Sequence, residues 1–355
     1  MKFLYWASHI LAALVIIMTA IPLFRAEAWW IRAFDFPRLQ VALLGVLALI
    51  GLLLIKPHVT ISYALAGLLL LAIGYQSLRI LPYTPLWAKQ TKDADPAKVE
   101  DSISILIGNV LMPNHEFAAF RKIIADRDPD LVLCMEVDQR WCDELKEIEA
   151  RYPYRVLQPQ PDTYGIALYS KLELVDAQVK KLLEEDIPSI HTKVRLSKGR
   201  MVELRCVHPK PPAPQEAKTS IKRDAELLMV GKEVEKIKEP VIVMGDLNDV
   251  AWSRTTTLFQ KVSSLLDPRR GRGLLSTFDA RNPVMRWPLD HVFHSKHFEL
   301  LELERLPHFG SDHFPVFIKL AITPEAPAKQ DEPEADPEEK QDAQEKIEKG
   351  KTSSE

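Results

Sequence analysis

The stretch VIVMGDLNDVAW, residues 241–252, decides how the chain is read. Val241 to Met244 is apolar and β-branched, the composition of a short buried strand. The run stops at Gly245, and Asp246, Asn248 and Asp249 follow within four residues. One reading is a surface turn, because Gly, Asp and Asn are turn formers. The other is a metal or phosphate site at the carboxyl edge of a sheet. Single strand ends of this kind are ordinary; the neighbouring sequence has to separate the two.

The same arrangement recurs. Asn109 follows SISILIG, Glu136 follows DLVLCM, and His208 follows VELRCV. Asp290 and His291 open a strand running into VFHS, and Ser311, Asp312 and His313 precede FPVFI. All these groups are acidic, amide, hydroxyl or imidazole, which points to one site assembled from several strand ends. Oxygen ligands such as Glu136 and Asp246 suit a hard cation like Mg²⁺. Imidazoles suit contact with a phosphate oxygen or proton transfer. Helical spacing in HEFAAFRKIIADRD and RDAELLMVGKEVEKIK separates some of the strands, so the expected fold class is an α/β sandwich.

Composition excludes some alternatives. The chain has 355 residues, 46% hydrophobic and 27% charged, with a net charge of -3. That balance argues against a surface coated for nucleic acid, though a local basic groove is compatible with it. Three cysteines, Cys134, Cys142 and Cys206, form neither a disulfide framework nor a CxxC metal motif.

Three apolar runs precede the soluble region: residues 3–24, 39–55 and 61–78. A bilayer needs about 20 apolar residues in a helix, so three transmembrane helices are expected. Trp29, Trp30, Tyr83 and Trp87 flank the runs, as interfacial aromatics do. Arg25, Arg32, Arg38, Arg79, Lys89 and Lys92 fall on one side of the three spans, and Lys2 and Lys56 on the other. The positive-inside rule then places the C-terminal domain in the cytoplasm of a multi-pass plasma (inner) membrane protein, with the extracytoplasmic side as the alternative. The expected organisation is a membrane domain at 1–82, a linker at 83–99, a catalytic domain at 100–322 and a disordered acidic tail at 323–355. The tail is rich in Pro and Glu and poor in large apolar residues.

The motifs GNV, CMEVD, YGIALYS, VHPKPP, GDLND, PLDHVF and GSDHFPV stand in the order of those of the endonuclease/exonuclease/phosphatase superfamily. The chain resembles a membrane-anchored, bacterial-type member over residues 100 to 322. The resemblance implies a four-layer α/β sandwich of two packed β-sheets flanked by helices. It implies that Glu136 is the principal Mg²⁺ ligand, with Mn²⁺ as a substitute, that Asn109 is its neighbour, and that Asp312 lies beside the metal. Asp246 matches the residue that orients or deprotonates the attacking water, and Asn248 the amide that holds a phosphate oxygen. His313 matches the phosphate-contacting histidine, and Asp290 the carboxylate that orients it. His208 sits where the deoxyribonuclease type carries a histidine.

Tyr164 either contacts substrate or packs beside a turn. Arg270 and Arg272, in DPRRGRG, are either solvated or bind a phosphate or anionic headgroup. Three functions fit: a phosphoesterase acting on a lipid-linked or membrane-proximal substrate, a membrane-tethered nuclease, and a non-catalytic membrane scaffold. The complete set of polar residues speaks against the third, and the lack of broad positive charge against the second.

Overall fold

A computed structural model of the protein describes residues 2–56 and 59–353. Residues 1, 57 and 58 of the expected membrane domain, and 354–355 of the expected tail, lie outside the described residues.

The chain opens with α1 (Lys2–Ala20), a single turn α2 (Trp29–Arg32), α3 (Arg38–Leu54) and α4 (Thr60–Ile80). These helices pack through small residues. Ala12, Ala48 and Ala66 are buried between them beside the larger Val15 and Leu69, and a Cβ on Gly51 would lie 2.7 Å from Ser8 Cβ. Polar pairs are turned inward: His9 Nε2 lies 3.0 Å from Ser62 Oγ, and Gln76 Nε2 donates to Thr19 Oγ1 at 3.0 Å. Large apolar side chains such as Leu47, Leu54 and Leu71 point outward and are exposed. Small and polar inside with leucine outside is the pattern of helices surrounded by lipid. Lys2–Leu23 and Thr60–Tyr83 are each long and apolar enough to cross a membrane. The middle segment qualifies only if Trp29–Asp35 and Arg38–Leu54, bent by 69°, form one span. The expected three helices are therefore two on their own length, or three with the bent pair.

Two mixed sheets form the second half of the molecule. The first contains β1 (Asp101–Asn109), β2 (Leu131–Met135), β3 (Tyr154–Gln158), β4 (Ile166–Ser170), β10 (Phe298–Arg305) and β11 (Val316–Ile322), in the order β10-β11-β1-β2-β4-β3. The second contains β5 (Leu174–Lys181), β6 (Pro188–Arg195), β7 (Met201–Cys206), β8 (Val241–Asp246) and β9 (Asp290–His294), in sequence order. Strand alternation divides the apolar residues. Ile103, Ile105 and Ile107 of β1 meet Leu204, Ile242 and Met244 of the other sheet in the central core. Leu106 and Val132 face outward under α5 (Phe117–Arg127) and α6 (Gln139–Glu144). Val243 and Phe293 face outward under α7 (Ile221–Val234) and α8 (Arg254–Ser263). The four-layer α/β sandwich is present as expected.

Two expectations about the flanking segments are corrected. The segment 83–99 is not a loose linker. Tyr83 is buried and its hydroxyl donates to the Ala251 carbonyl at 2.6 Å. Lys92 and Ala94 exchange backbone hydrogen bonds with Leu300 of β10, both at 2.8 Å. The tail is not disordered either. A single turn, α9 (Ala326–Lys329), leads to α10 (Pro337–Thr352), which packs on α7. Ala343, Ile347 and Gly350 recur at four- and three-residue spacing and form a narrow buried stripe. Gly350 lets the helices approach closely, since a Cβ there would lie 2.2 Å from Ala225 Cβ. Asp336 and Glu339 form a capping box that starts the helix. Lys346 adds an ion pair to the buried Asp224 at 3.2 Å. Composition averaged over the tail hides a stripe only three residues long.

Ile347→Ala removes the largest member of that stripe. The substitution is expected to cost ~2 kcal/mol and to lower the melting temperature by on the order of 5 °C. Limited proteolysis in detergent should then cut between 330 and 352 in the variant and not in the wild type. Equal melting and equal protection would contradict the docked helix.

Candidate active site

Sheet topology, rather than proximity in sequence, brings the polar strand ends together. β1 and β2 are parallel, so Asn109 and Glu136 emerge at one edge. β11 is antiparallel to β1 and starts opposite Ile107, which delivers Ser311, Asp312 and His313 to that edge. In the second sheet β7 and β8 are parallel, and β9 begins opposite the end of β8, with Asp290 paired to Asp246. His208, Asp246 and Asp290 therefore meet at the matching edge. Backbone conformation sharpens the turns. Gly245 has φ +143, and a Cβ there would lie 1.9 Å from the Val207 carbonyl oxygen. Glu136 and Asn248 both adopt positive φ, at 60 and 50. Positive φ in non-glycine residues is uncommon and clusters at functional sites.

The side chains form one connected network. His313 Nδ1 lies 2.7 Å from Asp290 Oδ2, and its Nε2 lies 3.5 Å from Asp246 Oδ2. His208 Nε2 approaches the same Asp246 oxygen at 4.0 Å. Asn109 Nδ2 bridges the two halves, donating to Glu136 Oε1 at 2.8 Å and to Asp246 Oδ2 at 3.2 Å. Its Oδ1 accepts from the Leu111 backbone at 3.1 Å, so here Asn109 positions the carboxylates. The Asn248 backbone N–H donates to Asp246 Oδ1 at 2.9 Å, while its amide Nδ2 donates to the Pro209 carbonyl at 3.0 Å and keeps one hydrogen free for another acceptor.

Burial and charge assign different protonation states to these groups. Burial works against a charged His313, but Asp290 and Asp246 outweigh it and raise its pKa to about 10. Burial likewise opposes the Asp290 carboxylate, yet the His313 imidazolium holds it below the usual carboxylate range. Asp246 is pushed up to about 7 by burial, against the pull of His313. His208 falls to about 4, through burial and the nearby His313 charge, and is neutral. The site thus pairs one imidazolium with one neutral imidazole, and an ionised carboxylate with one poised near neutrality. Perturbed groups of this kind mark functional sites.

A divalent cation fits the Glu136 side. Burial raises the Glu136 pKa, opposed by the Asn109 amide and by His313. Asp312 Oδ1 is buried with no hydrogen-bond partner among the described residues, while Oδ2 meets Arg281 at 3.2 Å. Buried carboxylate oxygens that lack donors are hard-cation ligands in character. A second group, Asp246, Asp290 and His313, has ligand atoms within 4.8 Å of one another. There Asp290 Oδ2 engages His313 Nδ1, while Asp290 Oδ1 is buried with no hydrogen-bond partner among the described residues.

Other expected residues divide. Tyr164 lies at the rim, its ring 5.8 Å from that of His208 and its hydroxyl donating to Glu216 at 2.7 Å. Arg272 faces away from the site: it donates to Asp93 at 2.5 Å and to the Thr91 carbonyl at 2.8 Å, anchoring 83–99. The Arg270 carbonyl accepts from Gln90 in the same seam. Arg272 thus clasps a segment far away in sequence, whereas Arg270 joins that seam through its backbone carbonyl alone.

Three supporting residues were not singled out from sequence. Thr277 Oγ1 accepts from the Asp290 backbone N–H at 3.2 Å. Arg223 donates to the Asn248 carbonyl at 2.8 Å and pins the turn. Phe278 stacks near His313 with ring centroids 5.0 Å apart. No local signal marks them; each acts through a partner on another element.

The sequence profile described as Endonuclease/Exonuclease/phosphatase family matches residues 108–313. A search of curated proteins finds no match. Among solved structures, the human Nocturnin catalytic domain with bound sulfate is similar at TM-score 0.52 and 18% identity, covering 66% of this chain and 98% of that one. D. rerio TDP2 humanized by 14 mutations is similar at TM-score 0.51 and 15% identity, covering 62% and 98%. A functionally unknown conserved protein from Enterococcus faecalis V583 is similar at TM-score 0.51 and 16% identity, covering 62% and 100%. Identities this low speak for the fold alone. The profile match spans more than half of the chain and every strand end described above from Asn109 to His313, and the chain belongs to the endonuclease/exonuclease/phosphatase family of metal-dependent phosphoester hydrolases.

Proposed function

We propose that the protein is a membrane-anchored, Mg²⁺-dependent phosphoesterase that hydrolyses a phosphodiester or phosphomonoester carried by a membrane lipid. One observation carries the membrane substrate. The loop 279–287 runs from the site to the helical bundle. At one end Ala280 N donates to the Asp312 carbonyl at 2.7 Å, and Arg281 pairs with the Asp312 carboxylate. At its far end Val284 O accepts from Gln40, in the first turn of α3, at 2.7 Å. Val284 is 67% exposed and Met285 38% exposed, apolar groups at a loop tip beside a helix end. The rings of His313, Phe278, Trp287 and Phe36 form a continuous series from the site to the segment between α2 and α3. A mouth in this position would receive a headgroup without removing the lipid from the bilayer.

The same contacts support three spans. Ala28, before α3, pairs with Thr219 of the catalytic domain, and Tyr83, after α4, bonds to Ala251. Two segments on one side of a membrane are separated by an even number of crossings, so α3 crosses if α4 does. Arg25, Arg32, Arg38 and Arg79 then all lie on the domain side, which favours the cytoplasm.

The chemistry assigned to the chain's own groups is in-line attack by water, the new P–O bond forming as the ester P–O bond opposite it breaks and the alcohol departs, taking up a proton from solvent. Asp246, once ionised, accepts a proton from the water and aims it at phosphorus. The His313 Nε2–H donates to a non-bridging phosphate oxygen as charge builds there, and Asp290 fixes the ring in that orientation. Neutral His208 offers a further imidazole beside Asp246. A Mg²⁺ held by Glu136 and Asp312 would supply Lewis-acid neutralisation of phosphate charge.

Glu136→Gln, Asp246→Asn and His313→Ala are each expected to lower the hydrolysis of bis(p-nitrophenyl) phosphate by roughly 10²–10⁴. Chelation should abolish the wild-type rate, and Mg²⁺ or Mn²⁺ should restore it. An Asp246→Asn protein as active as wild type would remove the turn from the mechanism.

His313 supplies a test independent of turnover. Its folded pKa of about 10 lies above the ordinary imidazole value, raised by Asp290 and Asp246 against burial. Its contribution to stability is therefore complete below the unfolded value of about 6.5 and is lost as the pH rises through about 10. Carbon-13 histidine NMR on metal-free protein should find one imidazole titrating near the upper limit. Asp290→Asn should move it down. Titration of His313 near 6.5 in the wild type would contradict the ion-paired network.

A further inference from the structure

A second cavity, separate from the catalytic network, lies where the helical bundle meets the catalytic domain. It encloses about 530 Å³, the size range of small-molecule sites. Its two walls carry opposite charge. On the bundle wall are Arg25, just after α1, Arg32 and Arg38 on either side of Asp35, and Arg79 in the last turn of α4. On the facing wall are the acidic first turns of α10, with Asp336, Glu338, Glu339 and Asp342.

Part of this charge is already engaged. Asp35 pairs with Arg32 at 3.1 Å and with Arg38 at 2.5 Å. On the other wall Glu339 pairs with Lys261 at 2.5 Å, and Asp342 with Arg254 at 2.9 Å. Asp336 is occupied in capping the Glu339 N–H at 2.8 Å. What remains is polarised. Arg25 and Arg79 form no ion pair among the described residues, nor does Glu338. The Nε–H groups of Arg32 and Arg38 are buried without a hydrogen-bond partner among the described residues. Arg38 is almost wholly buried, at 2% exposure, so its unpartnered N–H carries a desolvation cost that a ligand oxygen would relieve.

The surroundings identify the occupant's chemistry. Leu23 and Phe24 line the cavity beside Arg25 and are exposed, and Tyr75 lies between Arg38 and Arg79, whose guanidinium carbons sit 5.5 Å and 5.6 Å from its ring centre. Arginines, an aromatic and exposed apolar groups at the ends of membrane helices form an interfacial site. A purely anionic ligand would satisfy the bundle wall and meet repulsion at Glu338 and its neighbours. A headgroup with a phosphate next to the glycerol and a primary ammonium beyond it offers an opposite charge to each wall. A quaternary ammonium has no N–H to donate to the carboxylates.

We propose that this cavity binds the headgroup of an aminophospholipid, its phosphate against Arg25, Arg79 and the Arg38 Nε–H, and its ammonium against Glu338. Such a lipid would join α10 to the membrane helices and hold the catalytic domain at the bilayer surface. The site rests on the bilayer placement of α1, α3 and α4 argued above.

Native mass spectrometry of the full-length protein, exchanged in detergent with equal amounts of phosphatidylethanolamine, phosphatidylglycerol and phosphatidylcholine, tests it. The wild type should retain phosphatidylethanolamine in preference by about tenfold. The Arg25→Ala, Arg79→Ala double variant should lose phospholipid retention altogether. Glu338→Gln should still retain phospholipid but lose the preference for the amine. Neither change touches the catalytic network, so hydrolysis of a soluble phosphodiester serves as the control for folding. Equal retention of the three lipids by the wild type, or an unchanged preference in the double variant, overturns the proposal. Extraction of the wild type from membranes by alkaline carbonate would overturn the membrane placement itself. Retention in the carbonate pellet without lipid preference would overturn this site alone.

Discussion

The turn from Gly245 to Trp252 must satisfy two demands at once, and the rest of the molecule is arranged around it. Its first half carries Asp246, buried among two histidines, a second carboxylate and an amide. Its second half, Val250, Ala251 and Trp252, is buried against Tyr83 and Leu289. The Trp252 indole N–H donates to the Asp35 carbonyl at 2.8 Å, between α2 and α3. Eight residues therefore join the buried Asp246 carboxylate to the segment before α3 and the segment after α4. Gly245 makes this possible, since only a residue without Cβ fits against the Val207 carbonyl there.

Such a turn is costly to assemble, because it buries charge. Burying a carboxylate is unfavourable unless it is paired and hydrogen-bonded. The network answers that cost by alternating sign: Asp290, the His313 imidazolium, Asp246 and the Asn109 amide succeed one another between the sheets. Glu136 and Asp312 stand at the end of this series, Glu136 accepting from the Asn109 amide and Asp312 pairing through one oxygen with Arg281 while its other oxygen is buried without a hydrogen-bond partner among the described residues. Ser311 ties the ends together, donating to the Asn109 carbonyl at 2.8 Å and accepting from the His313 N–H at 3.0 Å.

Much of this was legible in the sequence because strand alternation and polar termini are local signals. The runs ending at Asn109, Glu136, His208 and Asp246 each declare a buried strand and its end. The ordering of motifs then joins them. What stayed hidden depends on distant partners. Arg272 reads as part of a basic patch, yet its guanidinium clasps Thr91 and Asp93 some 180 positions earlier. His191 is buried on β6, 3.5 Å from Glu233 on α7, a partner that its own stretch PSIHTKV does not announce. The helix α10 was invisible because Ala343, Ile347 and Gly350 bury little area, and only their spacing and the matching face of α7 make them a stripe. Thr277 and Arg223 carry no motif at all.

The loop 279–287, the ring series and the cavity lined by Arg25 and Glu338 all lie on the bundle side of the domain. The central claim is that a bilayer, rather than free solution, presents the phosphoester. The most direct measurement compares the full-length protein's Mg²⁺-dependent rate on a phospholipid panel in nanodiscs with its rate on plasmid DNA and on soluble short-chain analogues of the same lipids. The account predicts faster turnover of a bilayer-embedded phospholipid than of its short-chain analogue, abolished by Asp246→Asn. Faster hydrolysis of DNA than of any lipid, or equal rates on embedded and soluble lipid, would contradict it.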